Sequence, residues 1–358
     1  MTFKNVDRPV LILDEDRCKK NIQRIVSKSE LNECEFRPHF KTHQSKAVGR
    51  WFKEAGVNGI TVSSPEMGHY FAEDGWDDIT IAFPFYPAQI KKLKELEKLS
   101  KLRLFITSKN DLELLNQELV NPFLVMIEID SGYGRSGISY NDTNTIKSLI
   151  DTSNNLESSK FHGFYIHDGR TYQARGKKEI ESSLEPSIHA LLQLKDKFPG
   201  SIISLGDTPS ASVLEDLEKL DEITPGNLVF YDWMQVQIGS CSLNDVCMYV
   251  LLPIAQSKKD GINVILRGGA AHLSKDFILN GNVKNFGQVI KYSKSSNILP
   301  VDNSWLTALS QEHGTLNQLP ENAKDYVTIV PIHSCLTANL FDHYITTEGK
   351  RIDKRVLS

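Results

Sequence analysis

The sequence predicts an α/β chain in which a parallel (β/α)8 TIM barrel is followed by a smaller, mainly β domain. Three observations predict it. Eight short β-branched or aromatic runs alternate with helical segments, and their starts lie 23, 19, 24, 21, 38, 40 and 26 residues apart. That spacing is what a strand, a crossover helix and two loops need. The intervening segments carry one-sided apolar stripes at helical spacing. After about Gly239 the pattern changes to strands joined by Gly, Asn, Asp and Ser turns, with few segments long enough for a crossover helix.

The eight runs are 36–41, 59–64, 78–83, 102–107, 123–130, 161–169, 201–207 and 227–232. Strand then helix, repeated, favours a parallel sheet, and eight such units close a barrel. Before the first run, Cys18, Ile22, Ile25 and Val26 fall at i, i+4, i+7 and i+8, and between later runs Ile180, Leu184, Ile188, Leu191 and Leu192 make a second stripe with charges opposite. Leu93, Leu96 and Leu99 do likewise in a stretch rich in lysine and glutamate. Ser64 before Pro65 suits an N-cap and first helical position, and Ser108 with Asp111 resembles a capping box. In the second domain, 247–252, 261–266, 288–292 and 326–332 read as strands. A strand at 8–13 precedes the first barrel helix and is assigned to this second domain. The expected division is therefore a barrel over 14–239 and a β domain over 240–358 with strand 8–13.

Charge is nearly balanced, with 41 Lys+Arg against 45 Asp+Glu, and no basic block supplies the footprint that a phosphate backbone or an anionic lipid surface requires. Neither nucleic acid nor membrane is expected as a partner. No run of ~18 apolar residues could span a bilayer. Residues 1–8 lack the apolar core of a signal peptide, so a cytoplasmic location is expected. Five scattered cysteines without a CxxC pair argue against a disulfide framework and against a cysteine-only zinc site.

In a parallel barrel the active site lies at the carboxyl ends of the strands. Read there, the residues are Lys41, Ser63, Asp130 with Arg135 just beyond, His167, Asp207 with Thr208, and Tyr231 with Asp232. Lys41 sits in Arg37-Pro38-His39-Phe40-Lys41-Thr42-His43. A lysine at a strand end is ordinarily a solvated charge, but neighbouring cations disfavour the ammonium and promote the neutral, nucleophilic amine that a Schiff base needs. Gly206-Asp207-Thr208-Pro209-Ser210 and Thr224-Pro225-Gly226-Asn227 occupy the seventh and eighth loops, the usual phosphate position of this barrel. Each alone is also an ordinary turn. A lysine on strand one with an anion cradle on strands seven and eight suggests pyridoxal phosphate. Asp130-Ser131-Gly132-Tyr133-Gly134-Arg135-Ser136-Gly137 is either a glycine-rich turn or a loop that brings Arg135 to an anionic oxygen. His333-Ser334-Cys335 sets imidazole and thiolate at i and i+2 of an extended segment. This is either a buried structural pair or a zinc site with positions left for water and substrate. Glu312-His313 is a further candidate ligand or supporting carboxylate.

Taken in order, these segments, with Tyr231-Asp232, Glu312-His313-Gly314 and Pro331-Ile332-His333-Ser334-Cys335, resemble the D-serine dehydratase and D-threonine aldolase family. Its members are fold-type III, alanine-racemase-like pyridoxal-phosphate enzymes. The resemblance runs from about residue 8 to 345. It implies that Lys41 carries the cofactor and that Arg135 meets its phenolic oxygen. It further implies that Asp207, Thr208, Gly226, Asn227, Tyr172 and Tyr231 line the cofactor site, that His167 is catalytic, and that His333 and Cys335 bind zinc or another divalent metal. His-x-Cys resembles the dehydratase branch more than the aldolase branch. Arg170 stands where family members commonly have a second histidine, and Arg267-Gly268-Gly269-Ala270-Ala271-His272 departs from the usual Asp-x-Gly pattern.

The reaction so implied is elimination from a 3-hydroxy D-amino acid, D-serine giving pyruvate and ammonia, with Lys41 as general base and the metal polarising the β-hydroxyl. Retro-aldol cleavage of D-threonine to glycine and an aldehyde, and amino-acid racemisation, are the alternatives. A non-catalytic pyridoxal-phosphate carrier of this barrel type would lack the β domain. The resemblance also implies a homodimer.

Overall fold

Pro38 and Pro225 punctuate the two shortest strands of the barrel, because proline cannot donate to a ladder. The computed structural model describes residue 3 and residues 6–257, 261–294, 297–321, 323 and 325–356. Residues 1, 2, 4 and 5 of the expected start, and 258–260, 295, 296, 322, 324, 357 and 358 of the expected β domain, lie outside the described residues. The chain forms two compact units, one of residues 23–226 and one of residues 1–22 with 227–358.

The first unit is built on an eight-stranded parallel sheet in the order Glu35–Phe36, Glu222–Ile223, Ile202–Leu205, Ser159–Ile166, Phe123–Asp130, Lys101–Phe105, Asp78–Pro84 and Ile60–Val62. A parallel bridge between His39 and Thr61 joins its two ends, so the sheet closes as a barrel. Ser64 and Ser108 cap the helices Pro65–Ala72 and Lys109–Glu118 by accepting from the backbone N–H groups of Met67 and Asp111.

Two expected strands are corrected. The first makes only two ladder residues before Pro38, and its end is the His39 bridge and a turn. The eighth is Glu222–Ile223, not 227–232; Asn227–Val229 is a 3₁₀ turn. The residues Leu228, Val229, Phe230 and Tyr231 are all buried, which imitates a parallel strand in sequence. Tyr231, however, has φ +48°, a left-handed conformation that no strand continues through.

Polar groups fill the amino-terminal end of the barrel. There Arg37 and Arg103 both reach Glu222, and Arg37 also meets Asp78. An apolar layer of Phe105, Met126 and Tyr165 packs together within the sheet.

The second unit carries a nine-stranded sheet in the order Ile262–Arg267, His313–Gln318, Leu299–Leu309, Gly287–Lys291, Tyr326–Pro331, Met248–Gln256, Val10–Leu13, His343–Thr346 and Arg351–Asp353. Met248–Gln256 also pairs with Ile262–Arg267, closing six antiparallel strands on themselves. Val10–Leu13 runs antiparallel to 248–251. Leu299–Leu309 and His313–Gln318 are absent from the sequence expectation. Their polar, outward-facing residues and a register shift between Leu306 and Ala308 weaken the period-two signal.

Candidate functional site

In the first unit, the position of Lys41 follows from its neighbour. Phe40 is fully buried, with ring centroids 4.4 Å from His43, 4.8 Å from Phe71, and 5.1 Å from Phe52 and from Trp76. Gly49 leaves it room, since a Cβ there would lie 3.2 Å from the Phe40 ring. The turn is closed by the Gln44 N–H donating to Phe40 O over 3.1 Å. Lys41 is exposed in the turn that follows the His39 bridge, while Thr42–Ser45 are buried. The Lys41 N–H donates to His39 Nδ1 over 3.3 Å.

The charges around this mouth are recorded by the histidines. His39 is held well below its ordinary pKa, first by burial and then by Lys41, His167 and Arg135. His167 falls to about 3, again by burial first and then by Arg135 and Lys41. Its Nδ1 is hydrogen-bonded to Gly206 O, which makes Nδ1 the protonated nitrogen and Nε2 the lone-pair nitrogen. His167 is thus a neutral acceptor, not a stored proton. Tyr172 lies beside it, ring centroids 6.2 Å apart.

Arg135 reaches back to Glu128, 3.7 Å away and buried. Burial raises the Glu128 pKa, against hydrogen bonding from Ser136 and the charge of Arg135. The loop between them is folded by Asp130, whose Oδ1 accepts from Gly132 and Gly134 N–H over 2.8 and 3.0 Å. Gly137, at φ +96°, lies so close to the Glu128 carbonyl that a Cβ would stand 2.8 Å from it.

Asp207 caps the helix Thr208–Val213 by accepting from Ser210 N–H, and Thr171 Oγ1 donates to the same oxygen over 3.0 Å. Its other oxygen, and the Ser210 hydroxyl, are buried without a hydrogen-bond partner. Burial pushes the Asp207 carboxyl up to about 7, partly offset by Ser210 and Thr171. A Cβ on Gly206 would collide with Tyr165 Oη and Thr224 Oγ1, and one on Gly226 with the His39 carbonyl. Bare backbone and buried hydroxyls with capacity to donate are what a phosphate cradle requires, so these residues fit that group. Ser210 and Thr224 lie in the two segments that the sequence offered as a phosphate position; Tyr165 is the residue the sequence reading missed. Tyr165 lies one residue before the end of its strand, where alternation would have pointed to it.

Arg170 is held by a carboxylate two residues away and by two serines. Its guanidinium forks onto Asp168 at 2.7 and 2.9 Å and reaches Ser131 and Ser187 at 2.9 and 3.1 Å.

In the second unit, Asp232 caps the helix Trp233–Ile238 through Oδ1, while Oδ2 accepts from Ser334 N–H (2.9 Å) and Asn227 Nδ2 (2.7 Å). Asn227 Nδ2 also lies 3.7 Å from Cys335 Sγ. His333, N-cap of the helix Ser334–Ala338, is raised to about 11: burial lowers it, but Asp276, Cys335 and Asp232 outweigh that. The carboxylate on His333 is Asp276, with Glu312 instead acting electrostatically on His272. Among the described residues no group of three or more His, Cys, Asp or Glu side chains gathers to hold a metal, so His333 and Cys335 stand as a two-ligand candidate. Imidazole and thiolate with open positions fit zinc. No described helix is long and apolar enough to cross a membrane.

The family model described as alanine racemase, N-terminal domain, matches residues 13–232, and one described as putative serine dehydratase domain matches 248–347. The D-threo-3-hydroxyaspartate dehydratase of a Delftia species is 26% identical over 362 residues, covering 96% of this chain and 94% of its own. Its solved structure superposes with a TM-score of 0.85 at 24% identity over 98% of both chains, and a structure of its cysteine-to-alanine variant is described as the metal-free form. The D-serine dehydratase of Dictyostelium discoideum is 28% identical, covering 96% of this chain and 93% of its own. A D-threonine aldolase from Filomicrobium marinum shares the fold, with a TM-score of 0.81 at 20% identity over 97% of this chain and 94% of its own.

Proposed function

Because the chain belongs to the alanine racemase N-terminal-domain family, whose dehydratase branch depends on pyridoxal phosphate, we propose that it is a pyridoxal-phosphate- and zinc-dependent lyase acting on 3-hydroxy D-amino acids. The elements of water leave from Cα and Cβ, and hydrolysis then releases ammonia and a 2-oxo acid; from D-serine the products are pyruvate and ammonia. The observation that carries this reading is Lys41, exposed beyond the first barrel strand with its N–H on the ring of buried His39.

Lys41 would hold pyridoxal phosphate, Arg135 and Tyr172 would bind beside its ring, and the backbone and hydroxyls of Thr208, Ser210 and Gly226 would hold its phosphate. Asp207 supports that loop as a cap. When bound, the cofactor supplies an electron sink for charge developing at Cα, and a divalent ion on His333 and Cys335 supplies a Lewis acid toward the β-oxygen. Lys41 Nζ moves the Cα proton, and His167, neutral and donating to Gly206 O, accepts a hydrogen bond through Nε2 rather than releasing a proton. The match of 248–347 to the serine dehydratase domain, and two dehydratase relatives covering nearly the whole chain, support elimination over retro-aldol cleavage. A homodimer belongs to the same reading.

The test is product identity. Purified protein supplied with pyridoxal phosphate and zinc should form pyruvate and ammonia from D-serine, or the matching 2-oxo acid from 3-hydroxyaspartate. Lys41→Ala should remove both activity and the visible absorbance of the bound cofactor. Glycine and acetaldehyde from D-threonine, without 2-oxo acid from any 3-hydroxy D-amino acid, would replace the proposal with the aldolase.

A further inference from the structure

His333 has two ring nitrogens, and only one of them can face a metal. Nδ1 stands 3.0 Å from Asp276 Oδ2. A carboxylate at that distance keeps the proton on Nδ1 and fixes the plane of the ring, so Nε2 is the nitrogen a metal can take, by displacing its proton. Asp276 is itself held in place. It follows the short helix Ala270–Leu273, where Ser274 takes φ +66° and turns the chain, and the Ser274 hydroxyl accepts the Asp276 N–H over 3.3 Å. The strained turn brings a carboxylate 57 positions away in sequence onto the imidazole.

We infer that Asp276 is a positioning residue for the metal, holding His333 in the tautomer and orientation that present Nε2. This rests on the reading of His333 and Cys335 as metal ligands. Glu312, the acidic residue nearest in sequence to the other candidate histidine, His313, has no such place on His333. Asp276 is 40% exposed and His333 34%, so replacing the carboxylate leaves no fully buried group without a partner.

The experiment measures zinc affinity of the full chain by competition with a chromophoric chelator, with Tm recorded alongside. The unaltered protein should bind one zinc and His333→Ala should lose it. Asp276→Ala should stay folded, as its unfolding transition shows, and bind zinc 10–100-fold more weakly. Asp276→Asn, which keeps an acceptor in place, should recover most of that loss. If Asp276→Ala binds zinc as tightly as the unaltered chain while His333→Ala does not, or if Asp276→Asn is as weak as Asp276→Ala, the positioning role is wrong and the metal reading survives. If the unaltered chain binds no zinc, or His333→Ala keeps it, both are wrong.

Discussion

Arg37 Nε lies 3.1 Å from Glu222 Oε2, and neither side chain is more than 2% exposed. The pair anchors the amino-terminal layer of the barrel, with Asp78 2.6 Å from Arg37 and Arg103 2.7 Å from the same Glu222 oxygen. Gly59 makes room for it, because a Cβ there would lie inside the Arg37 guanidinium. Such a layer is weak as a source of stability, since desolvation offsets attraction, but breaking it is expensive.

Glu222→Gln should therefore destabilise the fold by about 3–5 kcal/mol, as it leaves two arginines short of a buried counter-charge. The double variant Arg37→Leu/Glu222→Leu should fall by less than the sum of its single variants. Urea unfolding of the four proteins checks both statements.

Phe40→Ala should lower stability by about 3–5 kcal/mol through the cavity it leaves among His43, Phe52, Phe71 and Trp76. Because Phe40 sets the turn that carries Lys41, the variant should also take up pyridoxal phosphate more slowly, followed by absorbance. Phe40→Leu should lose less of each.

The Asp207 carboxyl, pushed up to about 7 by burial, binds its proton more tightly when folded than when unfolded. Its contribution is fully present below the ordinary carboxylate range and is lost as pH rises from about 4 to about 7. Asp207→Asn keeps a capping oxygen and removes the titration. The decline of Tm across that window should flatten in the variant.

Arg170→Lys cannot reproduce a fork onto Asp168 together with Ser131 and Ser187. A loss of about 1–3 kcal/mol in stability is expected. The ratio of kcat/KM between D-serine and 3-hydroxyaspartate should stay as it was. A changed ratio would mean that Arg170 reads the substrate.

Much of this molecule is written locally. Alternation of short apolar runs with amphipathic helices is enough to announce a parallel barrel, because a strand and a helix each bury one face at their own period. The caps at Ser64 and Ser108 are legible for the same reason, as they depend on residues three apart. Lys41, Arg135, His167 and the 206–210 segment could be read as strand-end chemistry without knowing what surrounds them.

Other features depend on residues that meet only when the chain folds. The run from Leu228 to Tyr231 is as apolar as a strand, and the left-handed turn at Tyr231 makes it something else. Nothing in the spacing of residues links Asp276 to His333, Glu222 to Arg37, or Ser187 to Arg170. Period and propensity act over a few residues, whereas the partner of a buried or metal-facing polar group is chosen by desolvation. Whatever side chain the fold delivers within hydrogen-bonding distance satisfies it, from any position in the chain.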